Sequence, residues 1–302
     1  MIHWGIIGYG NIARRFRASL NNSQRGKLVA IASHSYTDKD EVTIYRDYLS
    51  LLEDEQVDAV YVALPHKDHA PISKLALHYG KAVLCEKPAS LDLPSLKEVV
   101  ALSQSKNLLY MEALKTRFIP AIDALKKLLK DVKIYSITAS FCDNEVYRND
   151  SYIYDPIQGG AIYDVASYPL GFCLDFVNSE VVDIQTEKNE FDMYFKTKLV
   201  LADGSYLIVE GAKDRSKPRV AIIECELGTI EVPMFNRPDS FLLSNKAFHY
   251  PLEGDDMSYE IEAFHDSYLK KEFQHYRMTH RDSLDIMGII ETMKREHYEN
   301  QD

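Results

Sequence analysis

A glycine-rich turn within the first thirteen residues constrains this 302-residue chain more than any other feature. An apolar segment leads into Gly8-Tyr9-Gly10-Asn11-Ile12-Ala13, which matches the pattern G-x-G-x-x-G/A at a strand-to-helix junction. Gly8 permits the tight turn, Gly10 lets the backbone approach a pyrophosphate, and Ala13 is small enough for helix and strand to pack closely. The first helical residues, Asn11 and Ile12, offer amide groups to the phosphates. The motif predicts a dinucleotide-binding domain at the start of the chain.

Short apolar runs alternate with helical patterns up to about residue 117. The predicted strands are Trp4–Gly8, Leu28–Ala32, Ala59–Ala63 and Lys81–Cys85. The predicted helices between and after them are Asn11–Leu20, Pro71–Tyr79 and Leu93–Ser105. Such alternation favours an α/β fold, a parallel sheet with helices on both faces.

From Lys133 onward the period of the pattern changes to two. Apolar side chains of one predicted strand (Phe191, Met193, Phe195, Thr197, Leu199, Leu201) alternate with polar ones (Asp192, Tyr194, Lys196, Lys198). Hairpin turns are predicted at Ala202-Asp203-Gly204 and Leu227-Gly228. With helices near 160–177, 257–273 and 281–297, the second half is expected to be α+β, with a mostly antiparallel sheet that is apolar on one face. We predict a nucleotide domain over 1–117 and a substrate-binding and oligomerisation domain over 118–302.

Charge and composition exclude several classes of protein. The net charge is −11 at pH 7, which argues against a dedicated nucleic-acid or membrane-surface binder. No apolar run approaches the roughly 18 residues of a membrane-spanning helix, and Met1 leads straight into a strand-like segment with no room for a signal peptide. The four cysteines are scattered, without a C-x-x-C pair. We therefore expect a cytoplasmic protein without nucleic-acid or membrane partners.

The second predicted strand ends in Ala32-Ser33-His34-Ser35, which bears on the choice of cofactor. A protein that binds NAD usually carries an acidic residue at this point, where it binds the ribose 2′-hydroxyl. Here Ser33 and His34 offer a hydroxyl and an imidazole that suit a 2′-phosphate. NADP is therefore favoured over NAD, although His34 also fits a solvated loop residue.

Three further motifs carry a family resemblance. Glu86-Lys87-Pro88 ends a predicted strand, Glu112-Ala113 and Arg117-Phe118-Ile119-Pro120 stand at the domain junction, and residues 159–168 read GGAIYDVASY. Together with Gly8-Tyr9-Gly10, they resemble the glucose–fructose oxidoreductase, inositol dehydrogenase and rhizopine catabolism (Gfo/Idh/MocA) family. Tyr168 stands where many members have His and where the dihydrodiol- and xylose-dehydrogenase-like branch has Tyr. One departure is Tyr152-Ile153, where many members carry Trp-Arg before the glycine pair.

The resemblance implies a Rossmann domain, a second domain with a large open sheet, and assembly into a homodimer or larger homo-oligomer. It also implies NAD(P)-dependent hydride transfer to or from a small polyol, sugar or cyclic alcohol, in a cleft between the domains. Cofactor-lining positions carried over from the family are Pro65, His69, Glu86 and Lys87. Lys87 would lie beside nicotinamide and substrate, and Asp164 and Tyr168 would complete the catalytic set.

Alcohol oxidation requires a base within hydrogen-bond reach of the substrate hydroxyl and a group that stabilises the oxyanion. Asp164 and Tyr168 are four residues apart on a predicted helix, and thus on one face. Either Tyr168 exchanges the proton while Lys87 polarises the substrate oxygen, or Lys87 is itself the base; Asp164 binds substrate or orients the pair. Without these roles, Lys87 would be a solvated lysine before a structural proline, Asp164 a first-turn carboxylate and Tyr168 a packing residue.

Other functional classes remain open at this stage. The same fold also serves dinucleotide-binding regulators or scaffolds that perform no hydride transfer, and a glycine-rich turn alone also suits a methyltransferase. His66 and His69 superficially suggest a metal pair, but no set of carboxylates accompanies them. No metal is expected.

Overall fold

The computed structural model describes residues 1–36, 41–145 and 151–295. Contacts between Cα atoms divide the chain into two compact units. The first unit consists of Met1–Lys115 with Gly254–Met287, and the second of Thr116–Glu253 with Gly288–Asp302.

The first unit contains a six-stranded sheet in which every neighbouring pair is parallel. Its strands are β1 (Ile2–Ile7), β2 (Gly26–Ala32), β3 (Thr43–Tyr45), β4 (Ala59–Val62), β5 (Ala82–Glu86) and β6 (Tyr110–Ala113). The strand order is β3-β2-β1-β4-β5-β6, which is the Rossmann arrangement. The predicted parallel α/β sheet is confirmed.

Two of these strands were not predicted, for different reasons. β3 has only three residues, none of them buried, so it carries no apolar run. β6 is fully buried, but the carboxylate of Glu112 interrupts its apolar pattern. That carboxylate accepts a hydrogen bond from the Ala89 amide at 2.9 Å, a partner that no local pattern reveals.

The helices of the first unit flank this sheet and include one from near the C-terminus. They are α1 (Asn11–Leu20), α2 (Tyr48–Glu53), α3 (His69–His78), α4 (Leu93–Lys106) and α8 (Asp256–Leu269). In α8, the Phe264 ring lies 4.7 Å from the Trp4 ring of β1, and Trp4 Nε1 donates to His265 Nε2 at 3.0 Å. Arg15 of α1 forms an ion pair with Asp256 at 2.7 Å. The sequence-based division at residue 117 places α8 in the second domain, whereas these contacts place it in the first unit.

The second unit contains an eight-stranded sheet of order β14-β13-β12-β11-β7-β10-β9-β8. Its strands are β7 (Ile134–Cys142), β8 (Val181–Lys188), β9 (Tyr194–Leu201), β10 (Tyr206–Ala212), β11 (Val220–Cys225), β12 (Gly228–Pro233), β13 (Ser240–Leu243) and β14 (Lys246–His249). All pairs are antiparallel except the central pair β7–β10. The mostly antiparallel sheet is therefore confirmed.

The remaining helices are α5 (Pro120–Leu129), α6 (Gly160–Val165), α7 (Ser167–Leu174) and α9 (His280–Arg295). The predicted helix at 160–177 is split at Ala166, because Pro169 has no amide proton to donate to the carbonyl of Val165. The last two residues of the helix predicted at 281–297 lie outside the described residues. In the part of the chain that the structure describes, no helix is both long and apolar enough to cross a membrane.

The two predicted hairpins form with glycine in the left-handed region, at φ +85° for Gly204 and +105° for Gly228. The prediction for Phe191 and Met193 is wrong, because β9 begins only at Tyr194. Residues 189–193 form a turn before β9 instead of extending it. In this turn the side-chain oxygen of Asn189 accepts from the Tyr194 amide at 3.1 Å, and Asp192 has a φ of +53°.

Candidate active site

Gly8 sits at the end of β1, where the chain turns toward α1. Its φ is +87°, and its amide donates to the Ala32 carbonyl of β2 at 2.9 Å. A Cβ atom at this position would overlap the backbone carbonyl oxygen of Ala63. Only glycine therefore satisfies both the backbone angle and the close approach of β1 to the end of β4.

Gly10 is not required by the backbone angle or by packing, but it leaves open space at the start of α1. It is exposed, its φ of −87° suits any residue, and a Cβ atom there would meet nothing within 4 Å. It also forms the N-cap of α1 without a side-chain hydrogen bond, so the amides of Asn11 and Ile12 receive no side-chain cap from it. Open space beside the first turn of a ten-residue helix fits a pyrophosphate.

The residues after β2 form a turn that is closed by a hydrogen bond from one of its own side chains. Ser33 is buried, and its hydroxyl accepts from the Tyr36 amide at 3.3 Å. His34 is exposed, and its ring lies 5.2 Å from that of Tyr48. Of the two residues predicted to contact a 2′-phosphate, His34 is thus accessible, while Ser33 shapes the turn.

Arg14 is a candidate that the sequence analysis missed. Its guanidinium carbon lies 4.9 Å from the ring centre of Tyr9 and 5.7 Å from that of Tyr36. Tyr36 stands four residues beyond β2, so this exposed cation from α1 reaches the turn where a ribose 2′-substituent is recognised. Arg14 lies one helical turn into α1 and not at the end of β2, so the sequence around residues 32–35 does not reveal it.

The loops after β4 and β5 are joined by His69. The ring is buried, and its two nitrogens lie 2.8 Å from the carbonyl oxygens of Leu64 and Pro88. Burial lowers the pKa of His69, against which the two carbonyl contacts act. The ring therefore holds the Pro65 loop against the Lys87-Pro88 segment, and we propose that His69 shapes the cofactor-facing loops rather than contacting the cofactor.

Glu86 and Lys87 end β5 with different exposures. Glu86 is buried and accepts a short hydrogen bond from the Tyr61 hydroxyl of β4, which turns its carboxylate into the first unit. Lys87 is half-buried, at the carboxyl edge of the sheet, and the Lys87-Pro88 peptide bond is cis. β5 thus ends on a buried carboxylate, and the half-buried lysine follows it directly.

Asp164 and Tyr168 share one accessible face of α6 and α7. From Gly160 to Cys173 they are the two residues that are not buried. The Leu170 amide still donates to the Ala166 carbonyl, so helical spacing continues across the break at Ala166. The Tyr168 ring stacks on Phe141 of β7, with centroids 5.2 Å apart, and the residue is half-buried.

Lys213 is a second residue that the sequence analysis missed. Its Nζ lies 3.0 Å from Asp164 Oδ2 and 2.6 Å from Glu145 Oε2. Nothing in the pattern around residue 213, immediately after β10, distinguishes this lysine from a solvated one. The contact arises because the ends of β7 and β10 meet at α6.

The second unit also has a surface cavity of about 680 Å³, which lies away from Asp164 and Tyr168. Its lining includes Lys133, Ile134 and Tyr135 at the start of β7, and Tyr206 at the start of β10. Phe141, against which Tyr168 stacks, is seven residues further along β7 than Ile134, a separation of about 20 Å. The cavity is therefore remote from Asp164 and Tyr168.

Comparison with known proteins places the nucleotide-binding part of the chain in one family. Residues 2–114 match the Gfo/Idh/MocA family, described as an oxidoreductase family with an NAD-binding Rossmann fold. Trans-1,2-dihydrobenzene-1,2-diol dehydrogenase of Danio rerio is 26% identical over 98% of this chain and 96% of its own length. D-xylose 1-dehydrogenase (NADP(+)) of Hypocrea jecorina is 31% identical over 56% of this chain and 51% of its own length.

Solved structures of similar fold cover the chain almost completely. A 3-ketoreductase from Actinomadura kijaniata in complex with NADP superposes with a TM-score of 0.82 at 25% identity, covering 97% of this chain and 96% of that one. An aldose-aldose oxidoreductase from Caulobacter crescentus, complexed with glycerol, gives a TM-score of 0.85 at 16% identity over 97% and 96% of the two chains, and so supports the fold alone. With the dinucleotide turn and the Glu86-Lys87-Pro88 strand end, these matches identify residues 2–114 as a Rossmann domain of the Gfo/Idh/MocA family of NAD-binding oxidoreductases, and over its whole length the chain is similar to a trans-diol dehydrogenase.

Proposed function

We propose that this protein moves a hydride between NADP and a carbon bearing a hydroxyl or carbonyl group in a small sugar, polyol or cyclic diol. The observation that carries the proposal is the position of Lys87 at the carboxyl edge of the sheet that bears the Gly8–Gly10 turn. β1 and β5 are separated only by β4, so the two strand ends lie about 10 Å apart. A lysine at that distance along the edge from the pyrophosphate turn is suited to act at the reactive end of a dinucleotide.

The chemistry assigns a distinct task to each side chain. When bound, the nicotinamide supplies the hydride acceptor or donor. On oxidation, the substrate carbon loses a hydride to the cofactor and its hydroxyl loses a proton, which leaves a carbonyl. We assign that proton to Tyr168, the polarisation of the substrate oxygen to Lys87, and the binding of a neighbouring hydroxyl to Asp164. Lys87 as the base remains the alternative assignment.

The class of substrate follows from the relatives and from the residues on the Asp164–Tyr168 face. The two relatives are named for a cyclic diol and for D-xylose, and both compounds carry vicinal hydroxyl groups. A carboxylate and a phenol four residues apart can engage two such hydroxyls at once. Tyr152 and Ile153, which replace the Trp-Arg of many members, provide no cation, so a neutral substrate is favoured over an acidic one.

A panel of substrates tests the proposal directly. The purified chain is incubated with NADP or NAD and with aldoses, cyclitols and trans-diols, and in the reverse direction with the corresponding carbonyl compounds and NADPH. Turnover followed by nicotinamide absorbance on at least one neutral vicinal diol is expected. Tight cofactor binding without turnover on any compound would favour a dinucleotide-binding regulator instead.

Arg14→Ala is expected to weaken NADP binding about 10-fold or more while changing NAD binding less than about 2-fold. The reason is that a charge-assisted contact to a phosphate contributes about 1.5–3 kcal/mol, and only NADP carries the 2′-phosphate. Fluorescence titration with NADPH and NADH measures both affinities. Lys27→Ala is a matched control, since Lys27 is an exposed cation of the neighbouring β2. Equal losses for NADPH and NADH would contradict the assignment.

We further propose that the protein forms a homodimer through the open face of the eight-stranded sheet. On the face opposite α6 and α7, strand register aligns a row of side chains, Lys198–Ile208–Thr138–Ile222–Glu231. The two isoleucines are half-buried, and the terminal Lys198 and Glu231 are exposed with opposite charges. A two-fold rotation that reverses the row stacks apolar on apolar and places each lysine opposite a glutamate.

Sedimentation velocity tests this assembly. The wild-type chain is expected to sediment as a dimer or larger species, and Ile208→Asp as a monomer, because the substitution buries a charge in the apolar part of the row. Ile157→Asp is the matched control, because it places the same charge at an exposed position just before α6, away from the open face. A monomeric wild-type protein would refute the proposed interface.

The state of the four cysteines indicates the cellular compartment in which the protein works. Cys85, Cys142, Cys173 and Cys225 are all buried and free, and burial raises the pKa of each thiol. Unpaired thiols of this kind are typical of a reducing compartment. We therefore propose that the protein works in the cytoplasm.

A further inference from the structure

The ammonium group of Lys213 bridges two carboxylates in the second unit. Its side chain is 9% exposed, and its Nζ contacts Asp164 Oδ2 at 3.0 Å and Glu145 Oε2 at 2.6 Å. Although burial acts to lower the pKa of Lys213, the two carboxylates hold it above the usual value. The lysine is therefore charged at neutral pH.

The backbone on which Lys213 stands is fixed on both sides. Its amide donates to the Met193 carbonyl at 2.7 Å, and its carbonyl accepts from the Glu145 amide at 3.0 Å. A long side chain that starts from a fixed point loses less conformational entropy when it forms an ion pair, since its backbone is already ordered. The ammonium is thus supported at a defined position beside α6.

The other charged side chains around α6 form a separate cluster of one carboxylate and two lysines. Asp192, packed against the helix at Gly160, pairs with Lys188 at 3.2 Å and with Lys294 at 2.5 Å. Lys294 also lies 4.7 Å from the ring centre of Tyr163. Asp192 and its two lysines lie at the N-terminal end of α6. Lys213 contacts Asp164 one helical turn later and also binds Glu145.

We propose that Lys213 is a positioning residue that keeps Asp164 ionised, so that Asp164 accepts hydrogen bonds from substrate hydroxyls and carries no proton in the reaction. This inference rests on the proposed function for its catalytic meaning. A carboxylate that is largely withdrawn from water favours its neutral form unless a cation compensates it, and a neutral carboxyl would present a donor where a diol already has donors. The ion pair to Lys213 leaves Asp164 the task of accepting hydrogen bonds from hydroxyl groups, and leaves proton exchange to Tyr168 or Lys87.

Carboxyl ¹³C NMR titration tests the ionisation directly and needs neither substrate nor turnover. The Asp164 signal is assigned by its loss in Asp164→Asn and followed with pH in wild type, Lys213→Met and Lys213→Arg. We expect the pKa of Asp164 to rise by at least about 1 pH unit in Lys213→Met, and to stay within about half a unit of wild type in Lys213→Arg, which retains the charge. Lys213→Gln is a second neutral replacement that can still form a hydrogen bond, in case Lys213→Met does not fold.

Glu145→Gln is the matched control, because it removes the charge of the other partner of Lys213 but leaves the ammonium on Asp164. The pKa of Asp164 is expected to stay the same or to fall in this variant. In turnover assays, Lys213→Met should raise KM for a diol about 10-fold and move the acidic limb of the kcat/KM profile to higher pH, while the affinity for NADPH stays unchanged. Lys213→Arg should restore both.

The outcomes separate this inference from the proposed function. An Asp164 titration that is the same in wild type and in both neutral Lys213 variants would overturn the inference, whatever the activity. The expected titrations in a chain that turns over no compound of the substrate panel would instead leave Lys213 in its positioning role and refute the hydride-transfer function.

Discussion

Lys87→Ala is expected to lower kcat at least about 10²-fold, within the range that a positioned acid–base group contributes, while the affinity for NADPH changes less than about 3-fold. Lys87 is half-buried at the end of β5, where its ammonium can stabilise the charge that develops on the substrate oxygen. The glycine turn that would bind the pyrophosphate lies two strands away in the sheet. Steady-state rates from nicotinamide absorbance and a separate fluorescence titration measure the two effects independently.

The control is Lys97→Ala, which removes an exposed lysine of α4 in the same unit. Its kcat is expected to equal that of wild type. A Lys87→Ala enzyme that retained kcat within about 3-fold would exclude Lys87 from the chemistry and return it to the role of a lysine before a structural proline.

Tyr168→Phe then separates the two assignments of the proton. The ring stacks on Phe141 with centroids 5.2 Å apart, and phenylalanine keeps that contact while it removes only the hydroxyl. If Tyr168 carries the proton, kcat falls as far as in Lys87→Ala and the limb of the pH profile that belongs to the phenol disappears. A loss of about 10-fold or less, with the profile retained, would assign the proton to Lys87 instead.

The sequence predicts the nucleotide unit well because its information is local. The β1 strand, the turn at Gly8 and the start of α1 at Asn11 are specified by thirteen consecutive residues. The central strands β4 and β5 are buried on both faces and therefore read as apolar runs. The same local information places Asp164 and Tyr168 on one face, since helical spacing alone determines it. Even the unpredicted break at Ala166 leaves that relation intact.

The sequence did not predict the packing of α8, the position of Arg14 or the role of Lys213, because each depends on contacts between residues distant in the chain. Trp4 and His265 are 261 positions apart, so no pattern within α8 indicates that it packs on β1. Arg14 and Tyr36 come together only because the end of α1 that follows the glycine turn lies beside the turn after β2. Lys213 meets Glu145 because β7 and β10 pair in parallel. It reaches Asp164 because α6 packs against the end of β10, where Val165 lies against Gly211.

Gly10→Val is expected to abolish cofactor binding, with a loss of at least about 100-fold in affinity, equivalent to about 2.7 kcal/mol, while the protein stays folded. The structure separates these two effects because a Cβ atom at Gly10 would meet nothing within 4 Å and φ is −87°. The valine side chain therefore fits the free protein and fills only the space that a pyrophosphate needs. The free energy of unfolding should change by no more than about 1 kcal/mol.

Gly8→Val is the contrasting variant, since it strains the protein itself. At φ +87° a side chain is unfavourable, and its Cβ would overlap the backbone oxygen of Ala63, so β1 and the end of β4 must move apart. We expect a loss of stability of at least about 1–3 kcal/mol from the backbone angle alone, seen as a lower melting temperature without any cofactor. Gly10→Val should melt near the wild-type temperature and show no stabilisation on addition of NADPH, whereas wild type is stabilised by its ligand. Undiminished stabilisation of Gly10→Val by NADPH would mean that the dinucleotide does not approach this turn, and the assignment of the first unit's ligand site would be wrong.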